Sequence, residues 1–505
     1  MCDKTEVEVL FIMILRRSSF FPCILTIQCL VLGFTLFPAQ GASSPSFEIV
    51  QKKSKKALQV KVVKLTDSSL TFRVNSGKTF TVDLDTLTAD SVEKIRLEME
   101  SQKESARAES TSINEVIGHE LFKGSTLWSE SSVSVAARLG WPKESITEQS
   151  SSFRYYTARS YKFLGAHPYC ATLYGGVDGN VSQLSLVFAN KGDYGSSVGF
   201  GEDHFKTDQS SQKEALSLVA AIEQDATSIE AALTSALGAA QKQYYGEKED
   251  RRRVLRWDQG DHAFLLSEVA GEYTSLLIVD KENADLSGKV GLVKDSDLKA
   301  MVLKNVVVEE NGDVLIKNIP MVDQGPKGYC APATFERAMR YMLVPADMYL
   351  LATAATTQEG TNTFLLADSC KRIVRSKARR VKDLDLKNDL KIKLVKKYID
   401  KGVPILWQMR SLKSYNKLAN QRTKERESLT SFDDWKVKIA AEAKEVSPRM
   451  EQNLDKYHIC MIIGYNEETD EIAVSDSWGE RYELRWVHID IAKAVTSQGG
   501  FVIDL

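Results

Sequence analysis

Hydrophobic and polar positions alternate with period two in three short runs early in the chain: Leu58-Gln-Val-Lys-Val-Val, Leu70-Thr-Phe-Arg-Val and Phe80-Thr-Val-Asp-Leu, with Ser76-Gly77 between the last two. Such alternation puts one face of each strand on a core and predicts a meander of short strands over residues 46–90. Residues 91–112 begin as a short helix, lose apolar periodicity past Leu97 and become charged and Ser-rich, which reads as a linker. From Ile113 to Leu298 the pattern is mixed α/β. Leu184-Ser-Leu-Val-Phe and Ser275-Leu-Leu-Ile-Val read as strands, and Ala215 to Tyr244 carries Leu216, Val219, Ile222 and Ile229 at helical spacing. The remainder opens with a hairpin, Val306 to Val308 and Val314 to Ile316, around Asn311-Gly312. A loop from Asp323 to Tyr329 then enters a helix starting near Cys330. Phe335, Ala338, Met339 and Met342 form its buried face, and Pro332 falls in the first turn, where a missing N–H costs little.

A chain of 505 residues has room for about three domains. Its first segment has the pattern of a signal peptide over residues 1–41: Arg16-Arg17, an apolar run from Phe20 to Phe37, then Ala39-Gln40-Gly41 as a cleavage site. Asp3, Glu6 and Glu8 are foreign to a basic leader, so Met13 is an alternative start. Export to a periplasmic or extracellular space follows; the alternative is an N-terminal membrane anchor. No later segment is apolar enough to cross a bilayer. The 66 basic and 68 acidic residues leave a formal charge of −2, which offers no global field for nucleic acid or an anionic membrane. Of seven cysteines, Cys170, Cys330, Cys370 and Cys460 survive removal of the leader, too few and too scattered for a disulfide framework.

A thiol at a helix N-terminus faces unpaired N–H groups and the positive end of the helix dipole, both of which favour thiolate. Cys330 is so placed. A base is available in the apolar strand Tyr457-His458-Ile-Cys-Met-Ile-Ile-Gly464-Tyr465, which lies 458 − 330 = 128 residues downstream. Asp476, ending the next apolar run, is a candidate to orient the imidazole across an antiparallel pair.

These residues resemble the papain-like cysteine peptidase superfamily over residues 301–505. Gln324, six residues before Cys330, sits where the family carries the glutamine of its oxyanion hole. The strand His458 to Tyr465 is similar to the family's His strand, and Asp476-Ser477-Trp478-Gly479 resembles Asn-Ser-Trp-Gly with Asp for Asn. That exchange, and Tyr-Cys-Ala-Pro-Ala around the nucleophile, are closest to the bacteriocin-processing, double-glycine-leader branch with its Cys-His-Asp triad. The resemblance implies catalytic Cys330, His458, Asp476 and Gln324, a peptide or protein substrate, and no metal or organic cofactor. Two departures stand out. Ala331 replaces a glycine expected beside the nucleophile, and residues 411–456, charged and helical in pattern, interrupt the run to the His strand as a lid, a substrate-facing arm or a solvated decoration. Residues 46–100, by their strand pattern and the stretch Gly77-Lys-Thr-Phe-Thr-Val-Asp-Leu-Asp-Thr-Leu87 that closes it, resemble the SH3-like homology domain of an endocytic actin-cytoskeleton adaptor, which would give the chain a protein partner.

The expected architecture is thus α+β and multidomain: signal peptide 1–41, SH3-like β domain 46–100, mixed α/β domain 113–300 and papain-like domain 301–505. The expected activity is that of an exported cysteine peptidase. The alternative is a non-catalytic peptidase-like binding protein that docks through its small β domain. Three further signals are set aside. Gly195-Ser-Ser197-Val-Gly199 matches a serine-hydrolase elbow without a strand and helix around it. His167 with Cys170, and Asp203 with His204, have no further ligands at metal spacing. The basic run Lys371 to Lys382, without interleaved aromatics, reads as a solvated face.

Overall fold

The computed structural model describes residues 46–505 apart from 53–54, 56, 75–77, 125, 194–216, 248–250, 290, 326, 354, 358–359 and 451–456. The expected signal peptide, the Ser76-Gly77 turn, the Gly195–Gly199 segment and the Asp203–His204 pair lie outside the described residues. Among the described residues no helix is long and apolar enough to cross a membrane. The chain divides into two compact units, residues 1–98 and 99–505.

In the first unit, strands Ser46–Val50, Ala57–Leu65, Ser69–Val74 and Thr79–Asp83 form an antiparallel sheet in sequence order. The alternation read from the sequence sets its inner face: Val60, Leu70 and Phe72 are buried. The stretch expected to be a linker is instead helical, in a single helix Ala89–Ile117. Its Glu, Lys, Arg, Met and Ala content has high helix propensity, which outweighs the missing apolar stripe.

The second unit is built on two eight-stranded sheets, an α+β arrangement. The first runs in the order Lys143–Ile146, Ser151–Tyr156, Cys170–Gly175, Val181–Asn190, Tyr273–Asp280, His262–Val269, Arg252–Gln259, Gln241–Tyr245. The two strands read from the sequence are its central pair, with Leu186 opposite Leu276. Helix Leu218–Leu237 covers one face through Ile222, Ala226, Ile229 and Leu233, whereas Val219 is exposed. The helical stretch expected to reach Tyr244 stops at Gly238, with φ +86, and Gln241–Tyr245 joins the sheet edge. Glycine there ends the helix, and the Tyr244-Tyr245 pair suits a strand.

The second sheet orders Val306–Val308, Asp313–Ile316, Tyr457–Asn466, Ile405–Arg410, Thr496–Asp504 and Arg380–Leu384, and Glu471–Ser475 and Arg485–His488 branch from Tyr457–Asn466. Helix Cys330–Tyr341 packs on it with Phe335, Ala338, Met339 and Met342 all buried. The basic run Lys371 to Lys382 is solvated at Arg372, Arg375, Arg380 and Lys382, as expected, with Arg379 as the buried exception. Arg379 is buried with Asp295 at 2.8 Å, Lys377 pairs with Glu247 at 2.6 Å and Lys382 with Asp504 at 2.5 Å.

Candidate active site

Cys330 is the first residue of its helix and is half-buried; Cys170, Cys370 and Cys460 are buried, and none of the four is in a disulfide. Polar anchors inside the core fix the helix in place. Thr334 Oγ1 donates to the Ile459 carbonyl on the His strand at 3.1 Å. Arg337, wholly buried, donates from Nε to the Pro320 carbonyl at 3.0 Å and from Nη2 to Ser475 Oγ at 2.6 Å, beside Asp476. The helix that begins at Cys330 is therefore tied to the His458 strand and to the strand that ends beside Asp476.

His458 and Asp476 meet because Tyr457–Asn466 and Glu471–Ser475 pair antiparallel, with Met461 opposite Ser475. His458 Nε2 lies 2.7 Å from Asp476 Oδ1. The other ring nitrogen, Nδ1, is then the one left for the hydrogen bond between His458 and the Cys330 thiol. Burial alone would raise the Cys330 pKa. The His458 hydrogen bond and charge, with N–H groups of Ile459 and Ala331, overcome it and hold the thiol below its ordinary value. For His458, burial opposes protonation, yet Asp476 and Cys330 push its pKa up to about 10. The pair is thereby biased toward thiolate and imidazolium.

Asp476 is wholly buried and would be driven toward protonation by that burial, but the Arg485 guanidinium and His458 hold its carboxyl down at about 2. Arg485 Nη2 bonds to Asp476 Oδ2, and its Nη1 donates to Asn416 Oδ1 at 2.9 Å. The carboxylate thus faces one cation on each oxygen. Nothing in the sequence singled out Arg485; its position opposite Val474 on the neighbouring strand carries it to the Asp, and only the strand pairing reveals that.

Each residue of Asp476-Ser477-Trp478-Gly479 has a separate task. Asp476 holds the imidazole. Ser477 donates from Oγ to Gln324 Oε1 at 2.8 Å and accepts from the Gln324 backbone N–H at 2.9 Å, which fixes the Gln324 amide. Trp478 stacks on the His458 ring at 4.6 Å and 26°. Gly479 adopts φ +88, and a Cβ there would come 3.2 Å from Asp323 Oδ2, so a side chain at this position strains the turn. Gln324 Nε2 donates one hydrogen to the Lys327 carbonyl at 2.9 Å, leaving its second for another acceptor. All four candidate residues are gathered around the start of one helix.

Residues 316–494 match the model of the Peptidase_C39 like family. No curated protein matches the chain. The C39-like segment spans the Cys330 helix, Gln324, the His458 strand and Asp476, and its presence makes this part of the chain a peptidase-like segment. Ala331, where a glycine was expected, is helical and points its methyl into the main core.

Among its described residues the insertion in the C39-like segment is solvated on one side and packed against the rest of the unit on the other. Helices Lys413–Arg426 and Phe432–Met450 bury Tyr415, Ala419, Trp435, Ile439 and Ala443. Arg426 forks onto Asp313 at 2.6 Å to each oxygen and reaches Glu471 at 2.9 Å, while Trp435 Nε1 donates to the same Glu471 carboxylate at 3.0 Å. Through Asn416 the insertion also reaches Arg485, and so the far side of Asp476. Cys460, two residues from His458 on the same strand, is buried with its thiol pushed well up by burial, which makes it a core residue. His167 Nδ1 lies 3.1 Å from the Tyr161 carbonyl, and among the described residues no cluster of three His, Cys, Asp or Glu side chains could hold a metal.

Proposed function

We propose that the chain is an exported cysteine peptidase that breaks peptide bonds by thiol-dependent acyl transfer. The observation that carries the reading is the His458 ring set between the Cys330 thiol and the Asp476 carboxylate, at a helix N-terminus within a C39-like segment. The Cys330 thiolate attacks the peptide carbonyl carbon, and the carbonyl π electrons move to oxygen. The N–H of Cys330 and the second hydrogen of Gln324 Nε2 receive that oxyanion. His458 gives its proton to the leaving amine as the C–N bond breaks, and a thioester remains on Cys330. Water, deprotonated by His458, attacks the thioester and releases the acid and the thiolate. The same residues serve amide or isopeptide transfer when an amine replaces the water.

The features that favoured a binding protein lose weight: Ala331 turns into the core, and the insertion supports Arg485. The small β unit, with its SH3-like resemblance, is left for protein docking. The deciding experiment is alkylation of the leader-free protein with iodoacetamide at pH 7, with the site located by mass spectrometry. Fast modification confined to Cys330, slowed about a hundredfold in His458→Ala, is the expected result. Slow modification of Cys330 that is indifferent to His458 overturns the peptidase reading.

A further inference from the structure

Gln324 lies on the loop 323–329, and the residue after that loop is Cys330. A loop containing Gly325 and Gly328 has little conformational preference of its own, so its geometry depends on what it touches. Ser477 grips one side. The other side belongs to residues 113–300, the region whose role no motif indicated.

Both backbone polar groups of Asp323, the neighbour of Gln324, are satisfied from that region. Tyr156 Oη donates to the Asp323 carbonyl at 2.5 Å, and Glu144 Oε1 accepts from the Asp323 N–H at 2.8 Å. Glu144 is itself held by Arg154 Nε at 2.5 Å. Two residues upstream, Ser145 Oγ accepts from the Met321 N–H at 3.0 Å. Gly325 turns at φ +65 against the Tyr156 ring, where a Cβ would lie 2.6 Å from the ring carbons. Further along, the Lys327 ammonium is buried 3.0 Å from Asp193 and 4.4 Å above the Tyr156 ring. The Lys327 carbonyl is the group that accepts from Gln324 Nε2, so fixing Lys327 fixes the amide. Tyr329, immediately before the nucleophile, packs in one apolar cluster with Cys170, Val187 and Tyr273 of the first sheet.

We propose that residues 113–300 act as a scaffold that holds the oxyanion loop, with Tyr156, Glu144 and Asp193 as positioning residues. The proposal rests on the acyl-transfer reading for its catalytic consequence but not for its structural one. Oxyanion donors stabilise a transition state only when they are already in place, and small displacements cost large factors in rate. Attack on a carbonyl needs those donors. Displacement of iodide from iodoacetamide by the same thiolate does not, because no oxyanion forms.

The test is Tyr156→Phe in the leader-free protein, which removes one hydroxyl and keeps the ring under Lys327. Asp193→Asn, which removes the charge partner of Lys327, is the second variant. Acylation of Cys330 by p-nitrophenyl acetate is expected to slow at least about tenfold in each, while alkylation by iodoacetamide stays within about twofold. Amide hydrogen exchange within residues 323–329 is expected to quicken without change in the central strands Val181–Asn190 and Tyr273–Asp280. Equal slowing with both reagents and unchanged exchange would place the effect on the thiolate and overturn the proposal, as would wild-type values throughout. If wild-type Cys330 shows no selective reactivity, the peptidase reading fails separately. Loop exchange then decides alone: faster exchange in the variants supports the scaffold, and unchanged exchange overturns it.

Discussion

The two halves of the site are held in opposite ways. On the imidazole side, Asp476, Trp478 and Arg485 lie within 27 residues of His458 along the chain (485 − 458 = 27), and neighbouring strands of one sheet bring them together. On the side that we propose receives the oxyanion, Tyr156 and Glu144 contact Asp323 across separations of 167 and 179 residues. The first half is a local strand-pairing outcome that travels as a short motif. The second is a docking surface between two sheets, and it leaves no motif. A C39-like segment transplanted alone would keep its proton-handling half and lose much of what braces its oxyanion half.

Substitutions can separate the halves. Arg485→Ala should have the largest effect, because it leaves the buried Asp476 carboxylate with one cation; a loss of about 3–5 kcal/mol is expected in urea unfolding. A value near zero would mean that Asp476 does not depend on Arg485. Gln324→Ala should lower p-nitrophenyl acetate acylation about a hundredfold to a thousandfold, with alkylation of Cys330 preserved, and so confine its damage to the oxyanion half. The pH profile of alkylation reports the imidazole half. With the Cys330 thiol held low and His458 held high, the ion pair persists from the depressed thiol pKa up to about 10, so the wild-type rate falls only as acid protonates the thiolate. In His458→Ala the thiol loses its partner, and the profile should move up toward the ordinary value of about 8.5. The smallest effect is expected for Lys143→Ala. Its exposed pair with Glu480, 2.7 Å apart, is screened by solvent, so the same unfolding measurement should return the wild-type midpoint.

How much was legible in the sequence follows the same division. Cys330, His458 and Asp476 could be read because each sits in a short pattern with a physical reason: a helix start, an apolar strand, the end of the next strand; Gln324 came from the resemblance, by its offset before Cys330. Ser477 was in view inside Asp-Ser-Trp-Gly, although its grip on Gln324 was not. Arg485 was invisible because a lone Arg in an amphipathic strand has no distinguishing spacing. The insertion misled because Arg422 and Arg426 occupy buried positions on its first helix, and buried arginines disguise an inward face as a solvated one. The central pairing of the first sheet joins Leu186 to Leu276, 90 residues apart (276 − 186 = 90), and nothing in either strand names the other. Tyr156 and Glu144 are common residue types in ordinary strands, and their role exists only once that sheet meets the loop.

Cys170, Cys370 and Cys460 are buried while Cys330 is half-exposed. This uneven burial gives residues 42–505 a built-in counter of their own folding. A native molecule should take up one equivalent of a thiol reagent and an unfolded one four, so the stoichiometry of labelling along a denaturant titration reads the unfolded fraction directly, with no added probe. An intermediate plateau of two or three equivalents would reveal that one sheet opens before the other, since Cys170 belongs to the first and Cys460 to the second.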